Sequence, residues 1–442
     1  MWRSFKPVPP RLSVKSPFLR FAGFSALLIL AAGCKHSGDA GKKAAVGRAA
    51  SDSTIAFHAT PLDSIPPKVP PLEKYDWLYR HFAWTIPAQG AAPKSWPEIE
   101  KEIRPEACGT CHAQQYQDWK NSFHHQAMGP GVLGQLLDME RDAPVLSTSC
   151  QRCHAPLAEQ VPYLEKGKPN PDYREGFREQ GLVCAACHVR NHEHFGPDLG
   201  IKPNPKGPHG GFTPRPEYLN PAFCAECHDF KPGGGVHGKM LLETAEEWRR
   251  TDFAAEGKTC QSCHMPDGRH LWKGIHDPEM VRSAVSIEAG FALSGDSLRA
   301  TLTLTNTGAG HRLPTYNVPQ ILLIWEQFDA TGAALPGTRE EGIIARVVTE
   351  EVDHEFFDTR LFPGESFALP YRHPLHPLAV KAMARVEVWP DEGYRKYFQR
   401  MLETPGLKPQ VAEGVEKIRR ARELSSASRY VLWRKEFALK NP

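Results

Sequence analysis

CGTCHAQQYQDWKNSFHHQAM, residues 108–128, opens with two cysteines three positions apart and a histidine directly after the second. The same Cys-x-x-Cys-His spacing returns at Cys150–His154, Cys184–His188, Cys224–His228 and Cys260–His264. This is the attachment signature of c-type haem. Each thiol pair (Cys108 and Cys111, Cys150 and Cys153, Cys184 and Cys187, Cys224 and Cys227, Cys260 and Cys263) can form thioethers to the two vinyl groups of one haem. His112, His154, His188, His228 and His264 then fall under the iron as proximal ligands. The five motifs use ten of the eleven cysteines, so five covalent c-type haems, with their iron, are the expected cofactors.

Zinc and disulfides are the competing uses of paired cysteines. Neither supplies a reason for a histidine directly after the second cysteine of all five pairs.

The N-terminus agrees with export. Arg3, Lys6, Arg11, Lys15 and Arg20 precede an apolar run from Phe21 to Gly33, with no acidic residue among the first 33. A basic stretch followed by thirteen apolar residues reads as a signal peptide over 1–33, too short for a comfortable bilayer span. Leu30-Ala-Ala-Gly-Cys34 resembles a bacterial lipobox, which implies lipidation of Cys34 and a membrane anchor. Lys35 after the cysteine, by resemblance to proteobacterial lipoproteins, implies the outer membrane over the inner. An ordinary cleavage site with a stray cysteine is the alternative.

The whole chain carries 54 basic and 51 acidic residues, and removing the signal leaves 49 against 51. No basic stripe points to nucleic acid. Weak, charge-steered docking with redox partners, a donor and an acceptor, is the expectation.

Residues 34–70 are rich in Gly, Ala, Ser, Lys and Pro without apolar periodicity, and read as a flexible tether. The haem region spans 71–280. Its first cysteines are 42, 34, 40 and 36 residues apart, but the intervening segments share little else. Dense Pro and Gly, as in residues 203–221, predict a loop-rich backbone with short helices at 113–121, at 241–250 and after each haem motif. Haem supplies the apolar material that this segment lacks.

Residues 281–442 change character. Leu298, Ala300, Leu302 and Leu304 alternate with polar residues and come after a second alternating run (285–293) across Gly295-Asp296, which predicts a β-hairpin. Further strands are expected at 320–328, 343–349, 366–371, 384–389 and 429–437. Helices are expected at 391–404 and 409–425, around Pro405-Gly406. The fold class is thus a multihaem cytochrome c with short helices around five haems, plus a C-terminal β-sandwich with a helical appendage.

The occupant of the sixth iron position decides function, and fifteen histidines lie outside the motifs. Ser122-Phe-His124-His125-Gln-Ala127 resembles the Ser-x-His-x-x-Ala pattern of multihaem cytochromes related to the tetrahaem electron acceptor of hydroxylamine oxidoreductase. That resemblance implies His124 as a distal ligand, with His125 as the alternative. CQSCHMPDGRHLWKGIHDPEM (260–280) resembles the Cys-His-Met-Pro and Gly-x-His-Asp pattern of the same family and makes His270 and His276 candidates. His209 lies in a Pro/Gly loop before Cys224. Gly310-His311-Arg-Leu-Pro314-Thr315 resembles a motif in the β-domain of such cytochromes and implies that His311 reaches across the domain boundary to a haem. The arrangement is also similar to pentahaem cytochromes associated with extracellular electron transfer. These five histidines match five irons in number. Met128, Met240, Met265 and Met280 lie near motifs as axial ligands or as packing on a porphyrin edge.

The leading expectation is an electron carrier of anaerobic or extracellular respiration, periplasmic or on the outer membrane. The alternative is a reductase of a small oxyanion or nitrogen compound at one open haem. A third reading docks the sandwich on an outer-membrane conduit complex. No catalytic side chain is singled out. All five motifs end in histidine, which argues against nitrite reductases that use Cys-x-x-Cys-Lys.

Overall fold

The computed structural model describes residues 57–82, 86–164, 167–230, 234–236, 238–349 and 352–439. The signal segment, Cys34 and residues 35–56 of the tether fall outside the described residues.

Short helices and turns carry the haem-binding region: α1 (Asp76–His81), α2 (Pro105–Gly109), α3 (Ala113–Lys120), α4 (Pro130–Asp142), α5 (Pro144–His154), α6 (Cys184–His188), α7 (Pro221–His228), α8 (Thr244–Trp248), α9 (Cys260–His264) and α10 (Pro278–Ala284). Proline opens five of them, where the absent N–H would be unpaired in any case. Asn220 caps α7 by accepting from the Ala222 N–H, and Asp277 caps α10 through Met280. The apolar core here is small. Leu78, Ile86, Trp119, Leu157, Phe177 and Val183 belong to one cluster, and Met128, Leu133 and Leu136 to another.

A helix is expected after every motif. Among the described residues an α-helix follows directly only after motif 1, as α3, while short 3-10 turns come after motif 2 (Ala158–Gln160) and motif 5 (Pro266–Gly268). In motifs 2 to 5 the helix ends on the motif histidine instead. Pro156 and Pro266 come two residues after His154 and His264 and disfavour helical backbone just before them. Val189 and Asp229, after His188 and His228, are extended.

The C-terminal part is two antiparallel sheets face to face. One runs β7 (Ser366–Pro374), β2 (Ser297–Asn306), β1 (Val285–Ser294). The other runs β4 (Glu340–Ile344), β3 (Gln320–Phe328), β8 (Lys381–Trp389), β9 (Tyr430–Ala438). Gly295, at φ 58°, makes the first residue of the two-residue turn joining β1 to β2. Leu298, Leu302 and Leu304 from β2, Leu369 and Tyr371 from β7, and Ile321, Leu323 and Trp325 from β3 fill the space between sheets. Trp325 stands 5.8 Å from Tyr371 and 5.3 Å from Phe437.

The strand expected at 343–349 divides in two. Ile344 ends β4, and Arg346–Val348 (β5) pairs with Glu355–Asp358 (β6) in a separate ribbon. β6 carries no alternation long enough to read from the chain.

The appendage comprises α11 (Glu392–Glu403) and α12 (Ala412–Ala427). α12 packs on α4 of the haem-binding region. Their backbones approach through two glycines: a Cβ on Gly134 would lie 2.9 Å from Ile418 Cδ1 and 3.2 Å from the Gly414 carbonyl. Phe398 of α11 fills the space above Gly131 in the same way. Among the described residues no helix is long and apolar enough to cross a membrane.

Candidate haem-attachment sites

Each motif is one helical turn. Helical spacing puts the first cysteine, the second cysteine three residues on and the histidine four residues on along one face. In motif 1 the turn is closed by the His112 N–H donating to the Cys108 carbonyl at 2.9 Å. Three motif histidines fix their rings through Nδ1: His154 to the Ala127 carbonyl at 2.5 Å, His188 to Phe195 at 2.9 Å, and His264 to Lys273 at 2.7 Å. With Nδ1 so engaged, Nε2 is the nitrogen left for a metal.

Three motif histidines face a second imidazole at closely similar distances. Ring centres lie 6.3 Å apart for His124 and His228, 6.1 Å for His188 and His270, and 6.3 Å for His264 and His311. Two metal–nitrogen bonds of about 2.0 Å, with roughly 1.1 Å from nitrogen to ring centre on each side, sum to about 6.2 Å. The three gaps therefore fit an iron held between two imidazoles. His270 and His311 also hold Nδ1 against backbone carbonyls, of Gly268 at 3.0 Å and Arg312 at 2.8 Å. Burial lowers the pKa of all six rings, to about 3 for His124 and about 4 for His188 and His228. Neutral imidazole is the ligating form.

The other candidates are placed differently. His209 stacks on His194 with centres 4.0 Å apart, too close for a metal between the ring faces. Its backbone is left-handed, at φ 45°. His276 stacks on Phe123 at 4.0 Å and holds Nε2 3.0 Å from Asp391 Oδ2, so that nitrogen is occupied. His125 lies 4.3 Å from Trp119, with Nδ1 on the Gln180 carbonyl. Neither His112 nor His154 has a second imidazole at the 6 Å spacing among the described residues. Met128 is buried in an apolar cluster beside Cys150.

The motifs adjoin in an order that differs from the chain. The Cys108 thiol is within hydrogen-bonding reach of Cys184, Cys153 of Cys227, and Cys224 of Cys260. Cys187 lies close enough to influence both Cys224 and Cys227. Motif 4 is therefore the junction: it adjoins motifs 2 and 5 and lies near motif 3, which motif 1 adjoins. Cys111 and Cys263, in the outermost motifs of the line 1-3-4-5, are exposed.

Several side chains at these sites carry no sequence signal. Trp272 sits 4.4 Å from His124 and 5.0 Å from His270, wedged between two ligand candidates. Its φ of 42° is costly for a bulky residue and persists only where surroundings impose it. Asp118 accepts both Arg269 nitrogens at 2.7 Å and the His270 N–H at 3.1 Å, and so holds the His270 loop to α3. His81 is buried with both ring nitrogens unpartnered, 4.3 Å from Trp77. The rings of Trp77, Phe82, Phe195 and Phe223 surround it with centres 4.3–6.4 Å away.

A family model described as "Cytochrome c554 and c-prime" matches residues 107–189. Cytochrome c-554 of Nitrosomonas europaea is 23% identical over 184 residues, 39% of this chain and 60% of the relative. Those two matches support a multihaem cytochrome c. Covalently bound c-type haem and electron transfer go with that class. The chain spans about 60% of the length of the curated relative. A penta-heme cytochrome c552 from Thermochromatium tepidum is similar over 77% of this chain and all of its own, at 16% identity and a TM-score of 0.49.

Proposed function

We propose that this multihaem cytochrome holds five c-type haems and carries electrons between redox proteins in an anaerobic or extracellular respiratory chain. When bound, c-type haem supplies reversible one-electron exchange at iron. The observation that carries the reading is the set of three imidazole pairs at 6.1–6.3 Å. Two nitrogen ligands close the iron to substrates and suit a carrier. The chain's own part is to hold the six paired imidazoles neutral through burial, and to orient His188, His264, His270 and His311 through carbonyls on Nδ1. The contacts among motif cysteines bring all five attachment points into one connected set, with exposed edges at motifs 1 and 5 for partner docking.

Export by the N-terminal segment and anchoring through lipid on Cys34 fit this role, since both would keep the protein beside membrane-bound partners. An outer-membrane conduit complex is a candidate partner.

One observation favours the second reading, a reductase at an open haem. His112 and His154 lack a facing imidazole among the described residues. Electron paramagnetic resonance of the oxidised holoprotein tests both. Three His/His low-spin signals are expected, and fewer would overturn the carrier reading. A high-spin signal converted by cyanide, together with turnover of a small nitrogen compound, would favour the reductase.

A further inference from the structure

His311 belongs to the sandwich, on the loop after β2, yet its ring faces His264 of motif 5. Backbone bonds of Leu313 with Leu361, and of Thr307 and Gly308 to the Ala284 carbonyl, fix the loop on either side of His311, and side-chain contacts set the ring between them. Asn306 does part of this within the sandwich: its Nδ2 donates to the His311 carbonyl at 3.0 Å and to the Leu361 carbonyl at 3.0 Å. The central link to the haem-binding region is a carboxylate. Glu247, on α8 between motifs 4 and 5, is completely buried.

Its Oε2 accepts the Arg312 backbone N–H at 3.1 Å and the Thr315 hydroxyl at 3.1 Å. The Arg312 carbonyl in turn accepts Nδ1–H of His311 at 2.8 Å. One residue, Arg312, thus connects the carboxylate to the imidazole through its N–H and its carbonyl. Oε1 faces the guanidinium groups of Arg312 at 3.5 Å and Arg360 at 3.3 Å. Arg360 Nη1 also donates to the Thr315 carbonyl at 2.9 Å, and Thr244 and Thr315 share a hydroxyl bond at 2.8 Å. Gly310 lets the loop lie against Phe253 and Trp248, where a Cβ would already be in van der Waals contact at 3.4 and 3.6 Å.

We propose that Glu247 is a positioning residue for the His264/His311 site: it holds residues 312–315 so that the His311 ring stands opposite His264. This rests on reading His311 as an iron ligand. The carboxylate never touches the ligand ring. It acts through the Arg312 peptide, and outer contacts of this kind orient metal ligands and tune their basicity.

Two roles are open to a buried Glu beside two arginines, and conservative variants separate them. Glu247→Gln keeps an oxygen acceptor at the same reach and loses the charge. Glu247→Asp keeps the charge and withdraws the acceptor by one methylene. Positioning predicts that the oxidised Gln holoprotein keeps the wild-type low-spin spectrum. It predicts that the Asp holoprotein gains a high-spin signal of up to one haem per chain, with its potential raised. Charge neutralisation alone predicts the reverse order. A wild-type spectrum for Asp, or a high-spin signal beyond that of wild type for Gln, overturns the proposal, and either variant decides by itself if the other does not mature. His311→Ala is run alongside. If it adds no high-spin haem to the wild-type spectrum, the ligand reading fails and the proposal with it. If it creates a high-spin haem while Glu247→Asp does not, only the positioning role fails. Limited proteolysis at residues 277–284 gives a readout independent of the haem spectrum and should speed up in the Asp variant.

Discussion

His264 and His311 lie 47 positions apart in the chain and in different structural units, yet their rings stand 6.3 Å apart with planes 13° from parallel. The iron between them would be a cross-link as well as a redox centre. His311→Ala should therefore do two things. All five thioether-bound haems should remain, because distal loss leaves the Cys-x-x-Cys attachments intact, while one turns high-spin and its potential rises. Proteolysis between motif 5 and β1 should become faster. An unchanged spectrum with unchanged proteolysis returns His311 to an ordinary loop residue.

Fully matured protein should carry five haems. The pyridine haemochrome assay and intact mass check this, and a count of four or fewer removes at least one motif from the attachment reading.

His276→Ala should leave every low-spin signal in place, since its Nε2 is bonded to Asp391 at 3.0 Å. The cost should be a modest loss of stability, about 1 kcal/mol for one hydrogen bond. It would appear as a lower thermal midpoint with wild-type spectra. The appearance of a high-spin haem would make His276 a ligand after all.

Gly134→Val should loosen the appendage. Its side chain would enter space held by Ile418 and the Gly414 carbonyl, and overpacking of this kind costs about 1–3 kcal/mol. Hydrogen exchange in α12 should rise while β2 and β3 stay protected. Within the sandwich, Leu302→Ala should cost more, about 2–5 kcal/mol, because the residue is fully buried between sheets.

Acid should open the boundary between the two units. Burial alone would raise the Asp358 pKa, but bonds from Arg360 and Lys239 hold it below the ordinary carboxylate value. A carboxyl with a lowered folded pKa contributes stability that is complete above its unfolded pKa, about 3.9, and is lost as pH falls through the folded value. The contribution of Asp358 should therefore be constant from neutrality to about pH 5 and fade only in stronger acid. Asp358→Asn should remove this part of the acid dependence in denaturant titrations. If the two proteins keep the same acid slope, Asp358 is not its source.

Much of the sandwich could be read directly. β3 spans the expected 320–328, and the Gly295 turn and the inward leucines of β2 arise from local alternation and one residue with positive φ. The Cys-x-x-Cys-His motifs are equally visible in the chain, because their residues are neighbours in sequence. What escaped was non-local. The helices of motifs 2 to 5 stop at the histidine because the next residue either precedes a proline or extends into pairing, Val189 with His194 and Asp229 with Glu243. β5 left the sheet of β4 because its partner, β6, comes from a short segment with no pattern of its own.

The chain by itself determined how many Cys-x-x-Cys-His motifs there are, which residues form them, and that a stretch of strand-like alternation comes after them. Those depend on spacing within a few residues and on period-two alternation. Only the tertiary structure decided which histidine faces which. His124, His270 and His311 stand at ligand spacing, while His209 and His276 turn to His194 and Asp391, although all five occupy similar Gly- or His-rich loops. A ligand pair is a distance between two rings brought together by packing. Contacts such as Asp118 with the His270 N–H and Glu247 with the Arg312 N–H set that distance, and their partners lie 152 and 65 residues away along the chain.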